Sequence, residues 1–258
     1  MTGERDPIAR SLDVLAWLAA NPAGPWSVRQ AARDVGTSPT TVHRIFRTFE
    51  ARGLLHQNGD RSYMPGLELY RLCQSLAGQL SPIKLARPHM TALNEQCDET
   101  VLLGAYESRR QQMMFVDVVY GSHPLRYVIE LNRWIPIHAG ATGLAILAFL
   151  GEEERRALYS SGLDPLTPAT LVDVDALEAE AAAVRQQGYA RSHGQRLPGA
   201  VALSAPVFDA AGLIYGDVSV TIPEQRYDEQ LDDKLIRALL AASAGISTAF
   251  ADAGFRRG

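Results

Sequence analysis

Cysteine is scarce in this sequence: 2 among 258 residues, Cys73 and Cys97, far apart and without the spacing of a metal site. That excludes a disulfide scaffold and leaves two reduced thiols on helix faces. Long apolar runs are missing as well. The longest, "ATGLAILAFL", is roughly half the length a bilayer crossing needs, and Gly151 ends it. The opening "MTGERDPIAR" is charged and lacks the apolar core of an export signal, so a cytoplasmic location and no membrane partner are expected. No repeat period and no low-complexity tract occur. Catalytic signatures are equally thin. "GATGLA" has neither the lysine of a phosphate-binding loop nor the full dinucleotide fingerprint. Ser204 sits in no G-x-S-x-G elbow, and the 6 histidines contain no H-E-x-x-H. His123, His138 and His193 stand isolated, as loop or cap residues rather than metal ligands. The expectation is a chain without a catalytic residue, a metal or a cofactor.

What remains is an ordinary globular composition, 47% hydrophobic with a formal charge of -4, and enough chain for two modest domains. The charge is unevenly spread. Residues 1–65 hold 8 arginines against 6 carboxylates, a net +2, so the rest carries -6. A mildly basic head on an acidic body is compatible with nucleic-acid binding by the head. From Val35 to Phe49 there is no carboxylate at all.

Helical spacing organises that head. Ile8, Leu12, Leu15, Leu18 and Ala19 recur at helical intervals until "NPAGP" stops them. Ser27 with Gln30 forms a capping box for a second helix whose apolar set is Val28, Ala31, Ala32 and Val35, and Gly36 ends it. A third follows at once, with Ser38 as cap and Pro39 at the first helical position. Val42, Ile45, Phe46 and Phe49 form its apolar stripe; Thr40, Thr41, His43, Arg44, Arg47 and Thr48 face away from it. Asn58-Gly59 then predicts a type I′ hairpin turn between two short strands. Helix, helix, helix, hairpin is a winged helix-turn-helix.

The chemistry of the polar face follows. A helix fits the major groove, where Arg44 and Arg47, one turn apart, can each give two hydrogen bonds to a guanine. Ser27, Ser38, Thr40 and Thr41 place hydroxyls at helix starts, where the positive helix end favours phosphate. Arg61, beyond the hairpin turn, is placed to touch neighbouring backbone or minor groove. His43 has two readings, contact with phosphate or base and packing under the wing. The expected partner is double-stranded DNA. A winged-helix module that binds only protein is the rival reading.

"SLDVLAWLAANPAGPWSVRQAARDVGTSPTTVHRIFRTFEARGLL" resembles the N-terminal domain of IclR-type bacterial transcriptional regulators, and "TTVHRIFRTFEARGLL" is similar to that family's recognition helix. A lysine common early in that helix is replaced by Pro39 here. Beyond the head, "GLELYRLCQSLAGQL" puts Leu69, Leu72, Cys73, Leu76 and Leu80 on one stripe of a linker helix. The expected boundaries are 1–65 for the head, 66–81 for the linker helix and 82–258 for the body. The strand-like runs there are "TVLLGAYE", "QQMMFVDVVY", "LRYVIEL", "WIPIHA", "YARSH", "AVALSAPVFD" and "LIYGDVSVTI". Interleaved with helices, and closed by a long amphipathic helix from about Asp228, they predict an α+β domain with a central antiparallel sheet.

The resemblance extends through "IPIHAGATGLAILAFL" and "GYARSHGQRLPGAVALSAPVFDAAGLIYGDVSVTIP". It implies a GAF-like fold that binds a small organic acid, in a cavity lined by Gly140, Ala141, Thr142, Ser192, Ala202, Ser219 and Thr221. It also implies homodimers pairing through head and linker helix, often as dimers of dimers, on a partly palindromic operator. Independently, Ser219 and Thr221 alternate onto one face of a strand, and the amides at Gly140–Thr142 open a helix. A polar outer face for the two hydroxyls and a simple cap role for Thr142 are the plainer alternatives. Leu144, Ser192 and Ala202 stand where the family often has lysine, an acid and cysteine, which points to a more apolar effector or a degenerate pocket. Trp134, Tyr127, Met113 and Met114 read first as core and second as an apolar wall of that cavity.

Overall fold

The computed structural model of the chain describes residues 6–22, 24–77 and 82–257. The chain divides into two compact units, residues 1–79 and 80–258.

In the first unit, Asp6 caps α1 (Pro7–Ala20) by accepting from the Ile8 amide at 2.9 Å. The expected apolar stripe of α1 packs only in its second half, at Leu18 and partly at Leu15. Val14, Trp17 and Leu18 are buried, whereas Ile8 and Leu12 are 70% and 60% exposed and Ala19 is exposed too. Trp17 decides the rotation of this helix, because its indole Nε1 donates to Asp34 Oδ2 at 3.0 Å on the next helix. Ser27 Oγ accepts from Gln30 N and starts α2 (Val28–Val35); Gly36, at φ 71°, ends it. Ser38 Oγ likewise accepts from Thr41 N at the start of α3 (Pro39–Ala51).

The wing pairs β1 (Leu55–Gln57) with β2 (Tyr63–Pro65) in antiparallel register. Its turn differs from the expected type I′. Arg61 N bonds Asn58 O at 3.0 Å, and Arg61, not Gly59, takes the left-handed conformation, at φ 67°. Asp60 Oδ1 accepts from Ser62 N and Oγ and stabilises this longer loop. Tyr63 packs edge-on to Phe46 at 4.8 Å, tying wing to α3 over a core that also holds Trp26, Ala31, Val42 and Leu55. The unit continues into α4 (Leu67–Ala77). The last positions of the expected linker helix, Leu80 among them, lie outside the described residues.

The second unit is built on a six-stranded antiparallel sheet of order β5-β4-β3-β8-β7-β6. Its strands are β3 (Thr100–Glu107), β4 (Gln112–Val119), β5 (Ile135–Pro136), β6 (Ala190–His193), β7 (Ala200–Phe208) and β8 (Ile214–Pro223). On one side Val218, Val220 and Ile222 of β8 pack under α5 (Pro82–Cys97) and α9 (Asp232–Asp252). On the other lie α6 (Gly140–Leu147), buried along its whole length, and α8 (Val174–Gln187); α7 (Glu152–Ser160) packs Leu158 into the same core. The antiparallel α+β architecture agrees with the expectation. Two details do not. "LRYVIEL" is irregular chain, and "WIPIHA" contributes only the two residues of β5. By length and composition α9 is apolar enough to cross a membrane, but Leu239, Ala242, Ile246 and Phe250 are spent on the sheet.

Candidate functional site

The face of the head expected to meet DNA is largely exposed. Thr40, His43, Arg44 and Arg47 are exposed along α3, and Thr41 is half-buried because its hydroxyl meets Ser38 Oγ at 2.9 Å. Ser27, Thr40, His43 and Arg61 line one groove of about 660 Å³ between α2, α3 and the wing. His43 therefore opens onto that groove rather than packing beneath the wing. Arg29, which sequence reasoning passed over, lines it too; its place one residue into α2, beside the Ser27 cap, was the available signal. Thr41 and Arg44 border a second groove, against α1. Arg47 is held by Glu50 at 2.9 Å, an exposed pair of small energetic worth.

In the body, six of the seven expected effector residues, Gly140, Ala141, Thr142, Ser192, Ala202 and Thr221, line one cavity of about 40 Å³. Ser219, the seventh, is fully buried beside it: it is paired in register with Leu102, which lines the cavity, and shares its face of β8 with Thr221. Leu102, Phe115, Ile129, Leu197 and Ala200 supply the apolar wall. Met113, Met114, Tyr127 and Trp134 do not line it. Met113 is core, Tyr127 donates to Pro198 O, and Arg110 lies over the Trp134 ring.

Two amides that begin α6 are taken up by side chains, one from β6 and one from the loop that follows it. Gly140 N donates to Gln195 Oε1 at 3.2 Å and Ala141 N to Ser192 Oγ at 2.9 Å. Gly140 is required there: its φ of 80° is a left-handed conformation that side chains oppose. The cap position is Ala139, not Thr142, and it makes no side-chain bond. Thr142 instead accepts a long bond, 3.4 Å, from Arg196 Nη2, which also donates to Ala139 O at 2.7 Å and Pro136 O at 3.1 Å. Burial pulls the Arg196 guanidinium down to about 10, against the raising effect of Asp217.

Asp217 is fully buried on the same face of β8 as Ser219 and Thr221. Ser204 Oγ donates to its Oδ2 at 2.7 Å, while Oδ1 has no hydrogen-bond partner. Burial pushes this carboxyl up to about 7, although the Ser204 and Ser219 hydroxyls and then the Arg196 charge pull it back. Gly104 across the register makes room for it, since a Cβ there would stand 2.0 Å from Oδ1. Gln195, Arg196 and Asp217 were missed by sequence reasoning. A carboxylate inside the apolar run "LIYGDVSVTI" was the visible signal for the last of them.

A second cavity, about 150 Å³, lies among Cys97, Arg226, Tyr227 and Lys234. Its buried charges are already matched, Arg226 to Glu99 and Tyr227 to Asp232. Burial pushes the Cys97 thiol up, so it is not a reactive thiolate.

An arginine-bearing helix-turn-helix on one unit and a small, mainly apolar cavity edged by a few polar groups in the other fit a ligand-responsive DNA-binding regulator. Residues 7–59 match the family model described as the IclR helix-turn-helix domain, and residues 75–248 that of the bacterial transcriptional regulator IclR C-terminal domain. The chain belongs to the IclR family of bacterial transcriptional regulators. It is 32% identical over 235 residues to the HTH-type transcriptional regulator Rv1719 of Mycobacterium tuberculosis, covering 91% of this chain and 88% of that one. It is 25% identical over 251 residues to the transcriptional repressor IclR of Escherichia coli, covering 96% and 91%. A crystal structure of an IclR homolog from Microbacterium hydrocarbonoxydans, complexed with 4-hydroxybenzoate, superimposes with a TM-score of 0.82 at 22% identity, covering 95% of this chain and 99% of that one.

Proposed function

We propose that this regulator acts in the cytoplasm as a homodimer on a partly palindromic operator, and that a small organic acid bound under α6 controls its grip on DNA. Ser27, Ser38, Thr40, Thr41, Arg29 and Arg61 hold phosphate, while Arg44, Arg47 and His43 face the bases. One recognition helix reads too few base pairs to find a genomic site, so two heads act together. The exposed apolar residues Ile8 and Leu12 of α1, with Tyr70 and Leu76 of α4, support pairing through head and linker helix. A pair of such dimers is the larger assembly we expect.

The observation that carries the effector half is the convergence of the α6 amides, Ser192, Thr221 and Arg196 on one cavity. Anions favour a helix N-terminus, and a buried guanidinium favours a counter-ion. The 4-hydroxybenzoate complex of the Microbacterium homolog agrees with an acid as the ligand class. Because the two ligands bind one molecule, an acid that weakens DNA binding is weakened by DNA to the same degree. Fluorescence anisotropy with DNA upstream of the gene, titrated in the presence and absence of acids that raise the melting temperature, tests both halves. A sequence-selective complex whose Kd shifts with the acid is the expected result. No selectivity over random DNA sinks the operator reading.

A further inference from the structure

The second cavity of the body lies across the sheet from α6. Cys97 of α5, Ile222 of β8 and Leu235 and Ala238 of α9 give it an apolar floor. Its volume is about 150 Å³, and an apolar cavity of about that size accepts a ring as large as benzene. One wall is the pair Arg226–Glu99, closed by two hydrogen bonds of 2.8 and 2.7 Å, so it offers an incoming ligand no net charge. Two other charges line the cavity and are not matched in this way. Lys234, exposed on the first turn of α9, makes no hydrogen bond or ion pair among the described residues. Asp228 is exposed too; it accepts from the Gln230 amide at 2.9 Å and enters no ion pair among the described residues. One cation and one anion thus stand at the edge of an apolar hollow.

We infer that this cavity is a second ligand site of the body, for a small apolar amino acid whose side chain covers the floor while its carboxylate faces Lys234 and its ammonium Asp228. The charge pattern selects the class. A plain carboxylate would meet like charge at Asp228, and a plain amine would meet it at Lys234. A zwitterion finds an opposite charge for each end. The floor sets the size, from valine to phenylalanine, because a smaller side chain leaves most of it uncovered. Both charged ends stay at the exposed mouth, so neither bears the cost of full burial. This site is distinct from the cavity under α6, with which it shares no lining residue. Thr221 lines that cavity and Ile222 this one, successive residues of β8 that point to opposite faces. Both sites can therefore be filled at once, and the strand between them is the physical link.

Titration calorimetry on the full-length protein with valine, leucine, isoleucine and phenylalanine tests this, with alanine and 3-methylbutylamine (leucine without its carboxylate) as controls. At least one of the four is expected to bind with a Kd of about 1 mM or tighter. Alanine is expected to bind about tenfold more weakly, for want of apolar contact, and the amine about threefold or more weakly than leucine. Lys234→Gln and Asp228→Asn, both at exposed positions, are each expected to weaken the amino acid about threefold to tenfold. Ala238→Val, which fills the floor, is expected to weaken it more than about tenfold. Thermal melts report which variants fold, and Lys234→Gln stands in if Ala238→Val does not. Absence of binding by all four amino acids, equal binding of leucine and the amine, or unchanged affinity in the folded variants overturns the inference; the last outcome puts the amino acid elsewhere on the chain.

Discussion

The two units place their polar chemistry on opposite sides of their cores. In the head, the apolar residues of α2 and α3 close over Trp26 and Tyr63, and Arg44, Arg47 and Arg61 stand in solvent. In the body, Ser192, Ser204, Asp217, Ser219 and Thr221 lie inside, between the sheet and α6. A polyanion with a regular repeat is met by a surface. A small ligand is better met by an interior, where few groups suffice because each is desolvated and its interactions are strong. The difference also predicts where each unit breaks: the head through its small core, the body through its buried charge.

The largest expected effect therefore comes from Phe46→Ala. Phe46 is fully buried against Tyr63, and the change should cost the head about 3–5 kcal/mol, enough to unfold a unit of this size while the body's melting transition stays in place. Calorimetric scanning that shows one shared shift would instead join the two units into one cooperative block.

Next comes Asp217→Asn. The carboxyl's folded value of about 7 lies above its ordinary 3.8, so its contribution to stability is complete below about pH 4 and is lost as pH rises toward 7. The stability difference between the wild type and Asp217→Asn should therefore move in the variant's favour across that window and level off above it. Urea unfolding at stepped pH measures this, and a pH-independent difference would contradict the buried-carboxyl assignment.

Arg44→Ala and Arg47→Ala should each cost about 1–3 kcal/mol on the operator and much less on random DNA. Equal losses on both would demote the two arginines to generic phosphate contacts. The smallest effect is that of Arg61→Ala at the wing tip, a uniform weakening with a salt slope lower by about 0.9. Anisotropy titrations over a salt series separate the two behaviours.

The head was legible because its signals are local. Caps at Ser27 and Ser38, Gly36 and the stripe Val42-Ile45-Phe46 each announce a helix before any tertiary contact exists. Half of the α1 stripe was misplaced for the same reason, since Ile8 and Leu12 keep helical period whether they pack in their own core or lie bare, while Leu18 does pack. The Asn58-Gly59 signal gave the hairpin, but side-chain bonds from Asp60 to Ser62 set its length. "LRYVIEL" is apolar enough for a strand, yet it is irregular chain, tied at its start by Arg226 Nη1 to Leu125 O and, just past its end, by Asn132 N to Phe115 O. In the cavity, resemblance supplied Ser192, Ala202 and Thr221. Gln195 and Arg196 lie on a loop without period, and only the register of β6, β7 and β8 brings them to the α6 amides.

Where heads pair as proposed, the bare flank of α1 makes gene control sensitive to dosage. A lone head leaves Ile8 and Leu12 facing water, and pairing at this flank would cover them. While most molecules are single, promoter occupancy climbs with the square of the regulator's abundance, and it turns linear once pairs predominate. The cell then senses its own stock of the protein alongside the metabolite.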